Sequence, residues 1–558
     1  MDSSHNKLAI AALSLVALVF ACVTPAAARQ AGAERVTVLV NGRLWTGDAS
    51  APWAEAVAIR GGKILAVGSE EEVLAAAGAD FDRQDLNGAF VTPGFIDGHT
   101  HFGRAGALLM GANLLDVADD ASFRRRVSEA HDRLPPGSWM LRGDWGAYDL
   151  ETSWVPSRQL LDEIVAGRPA LLNKWDRSQY LASSRALRAA GIDPAGHDGL
   201  VSGEELARIR RAVPPPSFEQ RLAENRHALR DLARHGITTI HDITGPEQLR
   251  LFQYLRDEDS LTVRVCARPT LDKWEQLAAV GIQNNYGGEW INICGLKGFV
   301  DGIMGNSSAM FREPYEHTPN SSGQWRTMMS PPGNMERLIL SADAAGLTVT
   351  IHAIGDLAVD TLLDMVEMAV ATNGYRDRRF RMVHAQVVEQ DDFQRFGELD
   401  IIAEINPFHA IDDMRWMEDR IGERSVGAYA FRSLKDGGAL LVFGSDWPGT
   451  NAAWYPADPM QMIYAAVTRK TLDGQPEGGW YPAQRLTVQE ALEAHTVNSA
   501  YAAFEERIKG KLAPGYMADL TVLSQNLFEI DPDDIKDVSV LRTMVDGRWV
   551  YIASTLTP

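Results

Sequence analysis

Eight short apolar segments, each followed by enough chain for a helix, constrain this sequence more than any other feature. They are the run ending at His99, then Ile237-Thr-Thr-Ile-His-Asp-Ile243, Thr262-Val-Arg-Val-Cys266 and Ile291–Val300. Leu347–His352, Arg379–His384, Ile401–Ile405 and Ala439–Asp446 complete the set. Near-continuous apolar runs rich in Val and Ile mark strands buried on both faces. Strands alternating with helices build a parallel sheet. Eight such units predict an α/β fold of the TIM (β/α)8 barrel type.

In such a barrel the chemistry sits at the C-terminal ends of the strands. The first run closes on Val91-Thr-Pro-Gly-Phe-Ile-Asp-Gly-His-Thr-His101. Strand period two puts His99 and His101 on one face, which makes half of a metal site. Alone, such a pair is weak evidence and more often binds no metal. The other strand ends add Lys297, His352, His384 and Asp446. Burying this many polar groups is costly unless they pair or bind metal. One or two divalent metal ions are therefore expected.

Lys297 is the odd member, because an ammonium cannot ligate a cation. Near positive metals its pKa would fall, and a neutral amine can take up carbon dioxide as a carbamate. The other reading keeps an ammonium paired with Asp301 or a substrate carboxylate in a one-metal site. Asp446 suits two tasks, binding metal and taking the proton from a metal-bound water for delivery to the leaving nitrogen. Asp301 and Trp447 sit beside these positions, His241 ends the second strand, and Trp175 lies in an inserted segment. All four are candidate substrate contacts, with loop structure or packing as the competing explanation.

The net charge of −20 argues against non-specific nucleic-acid binding. Residues 1–28 have the pattern of an export signal: Lys7, an apolar run from Leu8 to Ala21, and Ala26-Ala27-Ala28 before Arg29. The run is short for a membrane span. A periplasmic or secreted protein is expected, with a lipid anchor on Cys22 as the alternative. Cys266 and Cys294 would remain, as buried thiols or, if their strands lie side by side, as a bridge. Short strands and the turns Asn41-Gly42 and Asp546-Gly547 mark residues 29–92 and 500–558. These are expected to form one small β-sandwich built from both termini, flanking a barrel over 93–499. An insertion after strand 1, roughly 112–225, carries Trp139, Trp145, Trp154 and Trp175. It is either a wall over the barrel mouth or a subdomain with its own core. Homo-oligomerisation is left open.

The chain resembles the amidohydrolase superfamily, and within it the amidohydrolase 3 or YtcJ-like family. The likeness rests on Pro93–His101, Gly236-Ile-Thr-Thr-Ile-His-Asp242, Lys297-Gly-Phe-Val-Asp-Gly-Ile-Met-Gly305 and His352-Ala-Ile-Gly-Asp356. His384-Ala-Gln386, Gly444-Ser-Asp-Trp-Pro448 and Gly510–Gly515 with Ala518-Asp519 extend it across the chain. The resemblance implies a TIM-barrel hydrolase with a flanking β-sandwich and a centre of one or two metals, usually zinc. It also implies ligand roles for the six residues above. Asp176-Arg-Ser178, Gly305-Asn-Ser307 and Val383 depart from the family pattern near the expected mouth, so substrate preference does not carry over. The expected function is hydrolysis of a non-peptide or terminal amide, such as an N-acyl or N-formyl amide. A deaminase or cyclic-amide hydrolase is the alternative within enzymes. A non-catalytic metal-binding regulatory protein is the alternative outside them, although no ligand is missing.

Overall fold

The computed structural model describes residues 35–146, 153–175, 177–449 and 454–556. The expected signal segment, Cys22 and Asp176 lie outside the described residues. Eight central strands run in parallel: β1 (Phe95–Thr100), β2 (Ile237–Asp242), β3 (Arg264–Ala267), β4 (Leu296–Phe299), β5 (Val349–Ala353), β6 (Arg381–His384), β7 (Ile402–Ile405) and β8 (Leu440–Phe443). Helices alternate with most of them, so the order is that of a TIM-barrel-like α/β fold.

The pairing departs from a single closed ladder. The strands fall into two five-stranded sheets, one containing β1 to β3 and the other β4 to β8. The seams carry single bridges, Thr270 to Lys297 and Thr100 to Trp447. Two causes are visible. The apolar run Ile291–Val300, expected as one strand, splits at Cys294-Gly295. Ile291–Ile293 stays on β3, and β4 begins the second sheet. A Cys266–Cys294 disulfide with Cα atoms 5.5 Å apart fixes the first piece to β3. At the other seam the chain leaves β8 through Asp446, whose φ of 56° lies in the left-handed region. That conformation ends regular pairing. The backbones there approach so closely that a Cβ at Gly444 would lie 2.5 Å from His99 Cβ, which only glycine avoids.

Two further sheets flank this body. One has four strands, all from residues 36–85. The other has six and mixes the ends of the chain, with Phe90–Pro93 antiparallel to Leu520–Leu523. Leu39, Val57, Leu44, Val91, Leu520 and Met544 share one apolar cluster between them. Phe90–Pro93 runs straight into β1, so the mixed sheet anchors the strand that carries the first two histidines. The segment between β1 and β2 forms a four-stranded sheet of its own. It has separate apolar clusters around Phe123, Trp145 and Leu172 and around Trp139, Leu187 and Ile209.

Arg264, fully buried on β3, ties the central body to the mixed sheet. Its Nε and Nη2 donate to Asp519 at 2.7 and 3.0 Å. Removing one partner of a buried pair strands the other charge, at about 3–5 kcal/mol. Arg264→Ala is therefore expected to lower the unfolding free energy by about that amount, read as a lower urea midpoint. An unchanged midpoint in equilibrium unfolding would show that this link contributes little.

Candidate metal centre

Four histidines and one aspartate meet at the C-terminal ends of the strands. His101 Nε2 lies 2.9 Å from Asp446 Oδ1, and His99 Nε2 lies 3.5 Å from the same oxygen. The His99 and His384 rings are 5.4 Å apart. Donor atoms of His99, His101 and Asp446 all lie within 4.8 Å of one another, as do those of His384, His409 and Asp446. Asp446 belongs to both groups.

The ring nitrogens turned away from this cluster are tied down. His99 Nδ1 meets the fully buried Glu404 of β7 at 2.5 Å. His384 Nδ1 donates to Asn406 Oδ1 at 2.7 Å, and Asn406 Nδ2 donates in turn to the Gly444 carbonyl at 2.7 Å. A histidine whose outer nitrogen is held in this way presents the inner one in a fixed direction, as metal-ligating histidines do. Burial is the main reason that His99 and His384 titrate well below the usual imidazole value, so both stay neutral and able to ligate. Burial opposes ionisation of Asp446, but the His101 hydrogen bond and the surrounding imidazoles hold its carboxyl well below the usual range. Three residues of the rim have left-handed backbones: His384 (φ 74°), Ala385 (φ 42°) and Asp446 (φ 56°). Such strain in non-glycine residues collects at functional sites.

Lys297 and His352 fall outside both groups. Lys297 is completely buried, and its Nζ has no hydrogen-bond partner among the described residues. Burial first, then Arg268, pushes it down to about 7. His352 lines the same cavity with its ring 4.6 Å from His384, but its Nε2 donates to the Gly302 carbonyl at 2.8 Å. The cavity in front of the cluster has a volume of about 560 Å³.

Of the candidate substrate contacts, Trp175 lines this cavity together with Arg177, so the inserted segment has its own core and also reaches the site. Asp301, Trp447 and His241 do not line it. Asp301 is buried and accepts backbone N–H groups of Met310, Ile354 and Gly355 at 2.8–3.1 Å, shaping two loops. Trp447 is 1% exposed and packs on Phe102. His241 is sealed beneath the site with its Nδ1 2.7 Å from Arg381 Nη1. Sequence reasoning missed Glu404, Asn406, His409 and Arg268. A signal existed for three of them. Glu404-Ile-Asn406-Pro-Phe-His409 ends the seventh apolar strand and opens the helix after it, so its polar side chains are delivered to the same rim.

A model of the amidohydrolase family matches residues 83–551. This chain belongs to the amidohydrolase family. The amidohydrolase is 34% identical over 550 residues to Protein LONG AFTER FAR-RED 3 of Arabidopsis thaliana, covering 93% of this chain and 92% of that one. It is 30% identical over 525 residues to the putative amidohydrolase YtcJ of Bacillus subtilis, covering 89% and 96% of the two chains. N-substituted formamide deformylase of Arthrobacter pascens is 27% identical over 557 residues, with 93% and 98% covered. An uncharacterized metal-dependent hydrolase from Pyrococcus horikoshii superposes with a TM-score of 0.71 at 25% identity, over 89% of this chain and 99% of that one. The protein is a metal-dependent hydrolase acting on carbon–nitrogen bonds.

If Asn406 orients His384 for ligation, Asn406→Ala should weaken metal binding by about 10–100-fold. Competition with a chromogenic chelator measures this directly, and an unchanged affinity would remove Asn406 from the support of the site.

Proposed function

We propose that this amidohydrolase is an exported enzyme that hydrolyses an N-acyl or N-formyl amide. The proposed ligand set is His99, His101, Lys297, His352, His384 and Asp446, with one or two divalent cations, zinc first. The observation that carries the reading is the shared orientation of His99 and His384. Their outer nitrogens are bound to Glu404 and Asn406, and their rings stand with His101 around Asp446. Neutral imidazoles with one carboxylate are a donor set suited to zinc. The two sheets, bridged at both seams, act together as one barrel whose rim is the site.

When bound, the metal supplies an activated water and polarises the amide carbonyl. The rest falls to the chain. Asp446 is ionised and takes the water proton on a carboxylate oxygen. It then gives that proton to the amide nitrogen as the carbon–nitrogen bond breaks, leaving a carboxylic acid and an amine. Its left-handed backbone aims the carboxylate across the rim between the histidine pairs. Trp175 and Tyr455 give the cavity an aromatic wall. The Lys297 amine, fully buried and without a hydrogen-bond partner among the described residues, is the form that adds to carbon dioxide when neutral, forming an N–C bond and releasing a proton. The carbamate would supply the anionic oxygens that the lysine itself lacks. Likeness to an N-substituted formamide deformylase favours acyl or formyl transfer to water over deamination. Export is supported by the N-terminal pattern and by the Cys266–Cys294 disulfide.

Two expectations follow for the purified protein. Elemental analysis should find one to two equivalents of divalent metal, and Asp446→Ala should lose at least about 10³-fold in kcat, within the range of general acid–base catalysis. A metal-loaded enzyme that leaves formamides, acyl-amino acids, lactams and dipeptides all intact would refute the reading. Separately, reconstituting the metal-free protein in bicarbonate-stripped buffer should slow the return of activity. Recovery at the same rate would argue for an unmodified Lys297.

A further inference from the structure

We propose that His409 is a metal ligand, forming with His384 and Asp446 a position distinct from the one made by His99, His101 and Asp446. This rests on the metal centre proposed above and adds a residue to it. His409 lies on the short helix Pro407–Asp413 that follows β7. Its ring is buried, and its Nε2 has no hydrogen-bond partner among the described residues. The backbone of Ser445, immediately before Asp446 in the chain, interacts with the same imidazole. At His99 and His384 the outer nitrogen is fixed by a partner and the inner one is left for the cluster; His409 brings a further buried imidazole to that cluster. An unpaired buried imidazole nitrogen costs free energy unless something binds it.

The ring is held from two sides. Tyr455 lies over it with centroids 3.8 Å apart, and His384 stacks at 6.2 Å with planes 23° apart. A side chain held this firmly, with a ring nitrogen within 4.8 Å of ligand atoms from His384 and Asp446, is pre-organised for a cation. His352, by contrast, spends its Nε2 on the Gly302 carbonyl and lies 3.3 Å from Asp301. In this arrangement Asp446 is shared, and the strand-7 helix contributes to the centre directly.

The test is metal binding and not turnover alone. Wild-type, His409→Gln and Tyr455→Leu proteins are stripped and titrated with Zn²⁺ against a chelator, with thermal melts of the metal-free forms to confirm folding. The same proteins loaded with Co²⁺ are examined by proton NMR, in which each ligating imidazole contributes one shifted, exchangeable N–H resonance. His409→Gln is expected to weaken the weaker or sole equivalent at least about tenfold and to lose one such resonance, while Tyr455→Leu keeps it. Unchanged zinc affinity and a full set of resonances in His409→Gln would overturn the proposal while leaving the metal centre intact. An equal loss in Tyr455→Leu would also overturn it, by showing that packing alone is at stake. A wild-type protein that takes up no metal would instead overturn the reading on which it rests.

Discussion

The buried carboxylate of Glu404 is the interaction on which the centre depends. It sits on β7 with no exposure, yet it is charged, because Arg268 and Arg381 stand against it. Arg268 Nη1 donates to both of its oxygens at 2.9–3.0 Å. The same carboxylate takes His99 Nδ1 from β1, while Arg381 on β6 reaches His241 on β2. One ion cluster thus cross-links residues of four central strands and the residue after β3. A buried cluster of this kind is expensive to assemble and more expensive to break singly. That asymmetry favours a rigid floor beneath the rim, and a rigid floor is what a metal site requires of its supports.

Above that floor, orientation comes from local geometry rather than from charge alone. Asp446 reaches both histidine pairs because its backbone leaves the extended region at the end of β8. Gly444 permits the close approach of that strand to His99. The seam between the last and first strands is therefore also the place where the site is assembled. Regular pairing gives way there to single bridges. The inserted segment completes the picture from outside: it folds around its own apolar clusters and sends Trp175 and Arg177 to the cavity wall.

Much of the architecture was legible without a structure, since strand and helix periodicities are local properties of sequence. The eight apolar runs correspond to the central strands, with one run divided between two sheets. That division turns on a glycine and a disulfide, and neither the break nor the pairing of Cys266 with Cys294 has a local signature. Part of the site was legible as well. His99, His101, His384 and Asp446 are polar residues at the ends of apolar strands, and they converge. Asp301 and Trp447 stand beside expected ligands in the chain and His241 ends a strand, but neither position says which way a side chain faces.

The sequence by itself determined the order of strands and helices and the residues delivered to one rim, because strand period and strand polarity are set by neighbours in the chain. Only the tertiary structure decided what holds those residues. Glu404 lies 305 positions from His99, and Asn406 lies 22 from His384. Whether a ring nitrogen meets a carboxylate, an amide, a carbonyl or nothing depends on how separate strands pack. For the same reason the fold alone separates His352, engaged with Gly302, from His409, whose buried nitrogen is left open.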